Sequence, residues 1–339
     1  MKLISFAVPC YNSAAYMNRC VDSLLKGGNK VEIILVNDGS TDDTGKIADE
    51  YKAKYPDIIK VIHKENGGHG SGIMAGLQNA EGLYYKVVDS DDWADEESLL
   101  KILNLIESFI KNDTAVDLII GNYVYEHEGT KNHTVHYHGI YPIGKIFEWK
   151  DCKRFDFTRY LIMHSSFYRT ELVRNSDLQI PLHTFYVDNV FLYTPLPYVK
   201  TLYYTDLDFY RYYIGREDQS VNEAVMIKRV DQQIRVSKLI LEKHDLRPIK
   251  ERSPKLYKQM YSYASVMVLI TVLFLTLDGS PEALKKLKDY WKYIKQEHPN
   301  LYGRLRYRSM AGFFAYKNIV IRKITVFVYR IVQKVYKFN

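Results

Sequence analysis

The chain has 339 residues, 47% hydrophobic and 26% charged, which excludes a disordered protein and allows at least one full core with an appended region. Three scattered cysteines, Cys10, Cys20 and Cys152, argue against a disulfide scaffold or zinc knuckle and point to a reducing compartment. The net charge of +7 is uneven, because residues 281–339 hold 14 Lys/Arg against 3 Asp/Glu, and this points to an anionic partner of the C-terminal end, either nucleic acid or membrane.

The chain opens on an apolar run, Leu3 to Val8, too short and too soon interrupted by Pro9 for a signal peptide. It reads as a first strand, and the chain is expected to start inside the cytosol. A helix signal runs from Ala14 to Lys26, then a second apolar run from Val31 to Val36 ends at Asn37-Asp38-Gly39-Ser40. Asp42 and Asp43 open a helix through Lys54, since carboxylates favour a helix N-terminus. Ile58 to His63 is a third strand, Gly70 to Asn79 a third helix, Leu83 to Val88 a fourth strand and Glu96 to Lys111 a long helix. This alternation predicts an α/β fold with a doubly wound, mostly parallel sheet. Ligands bind beyond the carboxyl ends of such strands, and the polar clusters fall there: Pro9 to Asn12, Asn37 to Asp42, Asn66 to Ser71 and Asp89 to Asp92. After Leu118 to Asn122 the pattern turns to hairpin and irregular structure up to Tyr213, and from Glu223 onward it is helical. The expected division is residues 1–220 and a helical region, 221–339.

Asp89, Asp91 and Asp92 place three carboxylates in four positions at the end of an apolar strand. Their mutual repulsion is roughly 1 kcal/mol or more per pair at surface dielectric. A divalent cation relieves it, and oxygen-only ligands with open coordination sites suit Mg²⁺ or Mn²⁺ shared with substrate phosphates. The competing reading is a solvated acidic turn capping the next helix.

Three motifs come in fixed order: Val8-Pro9-Cys10-Tyr11-Asn12, Val36-Asn37-Asp38-Gly39-Ser40-Thr41-Asp42 and Val88-Asp89-Ser90-Asp91-Asp92-Trp93. Together they resemble the family 2 glycosyltransferases of the GT-A fold, of bacterial polysaccharide type. The resemblance implies a Rossmann-like domain that binds a UDP-sugar and transfers the sugar, with inversion, to a glycan or lipid-linked acceptor. It implies donor binding by Pro9, Tyr11, Asn12 and Asp38, with Asp38 near the base. The third motif corresponds to the family's DXD element, with Asp89 at the ribose or metal, Ser90 in the donor loop and Asp91 as metal ligand. The family's base lies in a Glu-Asp pair before an aromatic helix, matched here by Tyr186-Val187-Asp188-Asn189-Val190-Phe191. Asp188 takes the base position and Val187 replaces the usual Glu. Ile73 stands where many members have Arg.

Gly67, Gly68, Gly70 and Gly72 suggest close backbone approach to the donor, with Gly68 at its centre, or a plain tight turn. Arg211, Arg216 and Gln219 match a segment that covers the diphosphate in the family, and Arg suits bidentate phosphate contact; a surface Arg beside tyrosines is the alternative. His164 precedes the acceptor region and equally fits a core histidine. His133, His136 and His138 resemble a metal cluster, but with no Cys or carboxylate at ligand spacing they read as a polar hairpin face.

Tyr261 to Leu277 is free of charge but short of a bilayer span, so a buried helix is expected. In the last segment Lys323, Arg330, Lys334 and Lys337 form a stripe beside Val320, Ile324, Phe327, Val328, Ile331 and Val335. That pattern fits peripheral attachment to the inner face of the cell membrane, or a helix docked on the protein itself. Nucleic acid is not expected, for want of an alternating aromatic and basic platform. A catalytically inactive nucleotide-sugar-binding or scaffold protein is the alternative function, against which the retention of Asp89, Asp91 and Asp188 speaks.

Overall fold

A computed structural model gives the fold and describes residues 1–127, 132–153, 159–214 and 222–314. The chain forms two compact units, the first Met1–Tyr213 with Arg247–Lys258, the second Ile214–Leu246 with the residues from Gln259 on. The division thus falls after Tyr213, some residues before the expected boundary at 220. The segment from Arg247 returns to the first unit because Arg252 and Lys255 donate to the carbonyls of Pro197 (3.1 Å) and Cys152 (2.7 Å).

In chain order the first unit runs β1 (Ile4–Cys10), α1 (Met17–Leu25), β2 (Val31–Asp38), α2 (Thr44–Lys54), β3 (Ile59–Lys64), α3 (His69–Asn79), β4 (Tyr84–Val87), β5 (Trp93–Ala94) and α4 (Glu96–Lys111). It continues with β6 (Leu118–Ile120), β7 (Tyr123–His127), β8 (His133–Val135), β9 (Ile146–Phe147), β10 (Ser166–Arg169), α5 (Thr170–Arg174), α6 (Asp188–Tyr193), β11 (Leu202–Tyr204) and β12 (Tyr210–Ile214). The main sheet has the order β3-β2-β1-β4-β10-β6-β11-β9, and a smaller sheet the order β5-β12-β7-β8. Strands β1 to β4 are parallel, whereas β10 runs antiparallel between β4 and β6.

The parallel strands read as continuous apolar runs because both faces are covered; all seven residues of β1 are buried. Helix α3 lies close against this sheet, since a Cβ on Gly76 would stand 2.5 Å from Ala7 Cβ and one on Gly72 2.8 Å from Pro9 Cβ. Only glycine permits that approach. Helix α4 begins where Asp95 accepts from Ser98 N (3.0 Å), with Glu96 and Glu97 in the first turn and Lys111 in the last, so side-chain cap and dipole agree.

Beneath β4 the buried Glu32 carboxylate accepts from Ser5 Oγ and the backbone N–H groups of Glu81 and Gly82, and pairs with Lys60 at 2.9 Å. Burial alone would raise this carboxyl, but the hydrogen bonds from Ser5, Lys60 and Glu81 outweigh it and hold it below the ordinary range. Its stabilisation is therefore full above the ordinary carboxylate value, about 4.3, and is lost as pH falls through the depressed folded value. Glu32→Ala strands the Glu81 donor, while Gly82 N keeps Ser5 Oγ (2.7 Å), and is expected to cost about 2 kcal/mol, a fall in Tm of roughly 4–8 °C. A melt within a degree or two of the parent would show that this carboxylate does not hold the turn before β4.

The second unit is helical, as expected: α7 (Glu223–Lys228), α8 (Val230–Lys243), α10 (Pro254–Asp278), α11 (Pro281–Glu297), α12 (Pro299–Arg308) and α13 (Met310–Phe314), with α9 (Leu246–Arg252) joining α8 to α10. Only the first turn of α10 belongs to the first unit. Helix α10 is long and apolar enough to cross a membrane, yet 61% of its most apolar window is buried within the protein. The basic tail, residues 315–339, lies outside the described residues.

Candidate active site

The four polar loops at the carboxyl ends of β1 to β4 are tied to one another by hydrogen bonds. Asn12, in the left-handed region at φ 50°, donates from its backbone to Ser40 Oγ (3.0 Å) and accepts from Thr41 N at Oδ1 (2.9 Å). Ser13 Oγ lies 2.7 Å from the buried Ser90 Oγ, which joins the first loop to the acidic one. Asp38 accepts from Lys64 Nζ (2.6 Å), Gly67 N (2.9 Å), Gly68 N (2.7 Å) and Ser71 Oγ (3.0 Å).

Asp38 is 2% exposed, and its carboxylate is occupied in holding the glycine-rich loop; a contact to a base would come second to that work. Burial would raise its carboxyl, but Lys64, Gly67 and Ser71 hold it low and ionised. Asp38→Ala is expected to lower Tm and weaken donor binding together, since Gly67 and Gly68 then lose their acceptor. Weaker binding at an unchanged Tm would instead indicate direct contact with the donor.

The glycine loop carries the second half of the site. Gly68 has φ 84°, and a Cβ there would stand 3.1 Å from the His183 backbone. His183 N donates to Gly67 O (2.7 Å), which lays the segment leading to Asp188 over the loop. Val187 is buried, with Cγ2 3.1 Å from where a Gly70 Cβ would lie. An apolar side chain fits that space, so one carboxylate, Asp188, stands where the family has two. Ile73, at the family's Arg position, is likewise a core residue.

Asp89 is held from two sides: His69 Nε2 lies 2.8 Å from Oδ1 and His164 Nε2 3.3 Å from Oδ2. Burial would raise the Asp89 carboxyl, but His69 and His164 hold it well below the ordinary range; burial would lower His69, but Asp89 raises it on balance. Asp188, half-buried at the start of α6, is raised, first by burial and also by Asp89, against the opposing pull of His164 and His69. Asp188 therefore lies near enough to Asp89, His69 and His164 for their charges to act on it.

Asp92, fully buried, accepts from Tyr210 Oη (2.7 Å) and Tyr213 N (2.8 Å), and burial with the charges of Asp91 and Asp89 pushes its carboxyl well above the ordinary range. Asp89, Asp92 and His164 each place one ligand-type atom within 4.8 Å of the other two. Asp92 is committed to the two tyrosines, and Asp91, next to it in the loop, is half-buried. The donor set therefore fits a hard cation: few carboxylate oxygens, with coordination sites left for phosphate.

Two of the expected donor residues have partners within the protein. Pro9 is buried in β1 against Gly72, so it offers a ligand backbone at most. Arg211 bridges Asp95 (2.9 Å) and Glu126 (3.1 Å) instead of facing a diphosphate. A phosphate there would meet two carboxylates already paired to the guanidinium. Tyr11 is 55% exposed at the rim, available to a planar base. Arg216 and Gln219 lie outside the described residues.

Three site residues were not legible as such. His69 shows only as a histidine after two glycines. His164, 7% exposed, stacks on Tyr212 at 4.5 Å as well as reaching Asp89. Lys86 is buried in β4 and donates to the carbonyls of Met163 (2.7 Å) and His164 (2.6 Å), which fixes the turn that carries His164. A lysine inside an apolar strand was the signal for it.

The profile of "Glycosyl transferase family 2" matches residues 5–175, half of the chain. The chain belongs to glycosyl transferase family 2. It is 38% identical over 135 residues to glycosyltransferase GlyG of Streptococcus pneumoniae, 39% of this chain and 42% of that one. It is also 38% identical over 128 residues to the putative glycosyltransferase EpsH of Bacillus subtilis, 38% of this chain and 35% of the other. The match thus spans less than half the length of these relatives. Across 97% of the chain the fold superposes on 92% of S. aureus TarS 1–349, solved with UDP-GlcNAc, at a TM-score of 0.65 and 19% identity. The mannosyltransferase PcManGT of Pyrobaculum calidifontis, solved with GDP-Man and Mn²⁺, superposes over 95% of this chain and 86% of its own at a TM-score of 0.52 and 14% identity. These structural likenesses establish the GT-A fold.

Proposed function

We propose that this chain is an inverting, metal-dependent glycosyltransferase that moves a sugar from a UDP-sugar to a hydroxyl of a glycan or lipid-linked acceptor, in the synthesis of a surface polysaccharide or exopolysaccharide. The observation that carries this reading is geometric: His183 N on Gly67 O (2.7 Å) lays the segment of Asp188 over the glycine loop, whose His69 pairs with Asp89 of the acidic loop (2.8 Å). In support stand the curated glycosyltransferase relatives and the TarS fold with its UDP-GlcNAc.

The steps follow from the side chains. Asp188 accepts the proton of the acceptor hydroxyl as its oxygen bonds to the anomeric carbon from the face opposite the diphosphate; the bond from that carbon to the diphosphate oxygen breaks, and the configuration inverts. Burial favours this, since a raised carboxyl is a better base than an ordinary aspartate. Tyr11 and the Asn12 loop receive the base and ribose, and the Gly67–Gly68 backbone lies beside the donor. Mn²⁺ or Mg²⁺, held by Asp91 with Asp89, would supply Lewis-acid stabilisation of the leaving diphosphate. The basic tail would bring the enzyme to the inner face of the cell membrane, where a lipid-linked acceptor resides. Removing residues 315–339 should then release it from anionic vesicles.

The deciding experiment incubates the chain with a panel of UDP-sugars and Mn²⁺ and measures UDP release. Release with at least one donor, abolished by chelation and restored by Mn²⁺, is expected. Binding of UDP without turnover of any donor, with acceptor extracts present, would overturn transfer in favour of a nucleotide-binding role.

A further inference from the structure

We propose that His136, His138 and Asp206 form a second divalent-metal site, separate from the acidic loop and selective for a nitrogen-seeking ion of the zinc class. Sequence spacing offers these histidines no carboxylate. The fold delivers one from 68 residues away, in the turn between β11 and β12.

The geometry is that of ligands brought to one point. His138 Nε2 lies 2.6 Å and His136 Nδ1 3.6 Å from the same oxygen, Asp206 Oδ1, and one ligand-type atom of each residue falls within 4.8 Å of the others. The imidazoles stack face to face, with centroids 4.7 Å apart and planes at 19°. Tetrahedral zinc with ligands at about 2.0–2.1 Å needs ligand atoms roughly 3.4 Å apart. The His136 contact is within about 0.2 Å of that spacing, and the His138 contact must open by about 0.8 Å.

A second observation comes from beneath the cluster. The side-chain amide of the fully buried Asn122 has two hydrogens but faces three acceptors: His136 Nδ1 (3.1 Å), Asp206 Oδ1 (3.0 Å) and Asp208 Oδ1 (2.9 Å). Its orientation is fixed, because Tyr204 Oη donates to Asn122 Oδ1 at 2.7 Å. Tyr204 Oη also reaches Asp206 Oδ1 (2.9 Å), so Asn122 and Tyr204, beneath the cluster, together hold His136 and Asp206 side by side. Two half-exposed histidines and one carboxylate leave a coordination position for water, and imidazole ligands select zinc, nickel or cobalt over magnesium. The ion would clasp the segment after β8 to the β11–β12 turn, a structural role that does not depend on glycosyl transfer.

Equilibrium dialysis of untagged, chelator-stripped full-length chain against Zn²⁺ tests this. Wild type, His133→Ala and Asp91→Ala should each retain a tight zinc equivalent that His136→Ala/His138→Ala loses, and Zn²⁺ should raise the Tm of wild type but not of the double variant. Co²⁺ in the wild-type chain should give visible d–d bands that Zn²⁺ abolishes, a readout independent of whether any variant folds. Zinc binding unchanged in a folded double variant, zinc loss in Asp91→Ala alone, or no cobalt bands in wild type would overturn the site. None of these results turns on UDP release, so failure here and failure of the transfer reading are distinguishable.

Discussion

Replacing Asp188 by Asn should lower kcat by about 10²–10⁴-fold, the range for loss of a general base, while donor binding measured by calorimetry stays within a few-fold of the parent. Asn keeps the shape and a hydrogen-bonding oxygen at the start of α6, so Tm should barely move. The pH profile gives the independent readout. Burial and Asp89 raise the Asp188 carboxyl against the pull of His164 and His69, and only the ionised form accepts a proton. The rate should therefore climb as pH rises through a midpoint above the ordinary aspartate value, about 3.9, and should be lost below it. Val187→Glu restores the family's pair of carboxylates; the added charge should move that midpoint further up, and the buried, tightly packed position should cost stability. A variant that lost donor binding as completely as turnover would place Asp188 in donor recognition and end its assignment as base.

The first half of the fold was legible because each element carries its own signal. Strands β1, β2 and β4 are mostly apolar and buried, and α4 begins and ends where its charges and cap say it should. From Leu118 to Tyr213 the strand pairing was not legible, because it depends on distant partners. Strand β10 enters the main sheet between β4 and β6, and β5, only two residues long, pairs with β12. The site divides the same way. Asp89, Asp91 and Asp188 stand out as carboxylates in motifs, whereas His69 and His164 acquire meaning only when the fold brings both to Asp89. Arg211 shows the same limit. The resemblance places it over the diphosphate, with a surface Arg beside tyrosines as the alternative, while Asp95 and Glu126 reach it from 116 and 85 residues away. Charge pairing across such separations leaves no local trace in the chain.

Asp91→Ala should abolish Mn²⁺-stimulated UDP release, a loss of about 10²–10⁴-fold, because the leaving diphosphate would no longer meet a held cation worth several kcal/mol. Its fold should be unaffected, since Asp91 is half-buried in the loop. The contrast with Asp89→Asn separates metal binding from architecture. Asp89 is the shared partner of His69 and His164, and its removal as a charge would leave a raised histidine without its counter-ion and take away one of the charges that raise Asp188. Asp89→Asn should thus lower turnover, move the acid limb of the pH profile and lower Tm, whereas Asp91→Ala should change only the response to metal. Asp92 gives the third comparison. Buried and bonded to Tyr210 and Tyr213, it is raised by its two neighbours and holds β12 against the acidic loop. Asp92→Asn should therefore cost little in metal response, because both Asp92 oxygens are engaged by Tyr210 and Tyr213. Equal loss of Mn²⁺ response in all three variants would mean that the carboxylates act as one cage, and the division of labour drawn from their burial would fail.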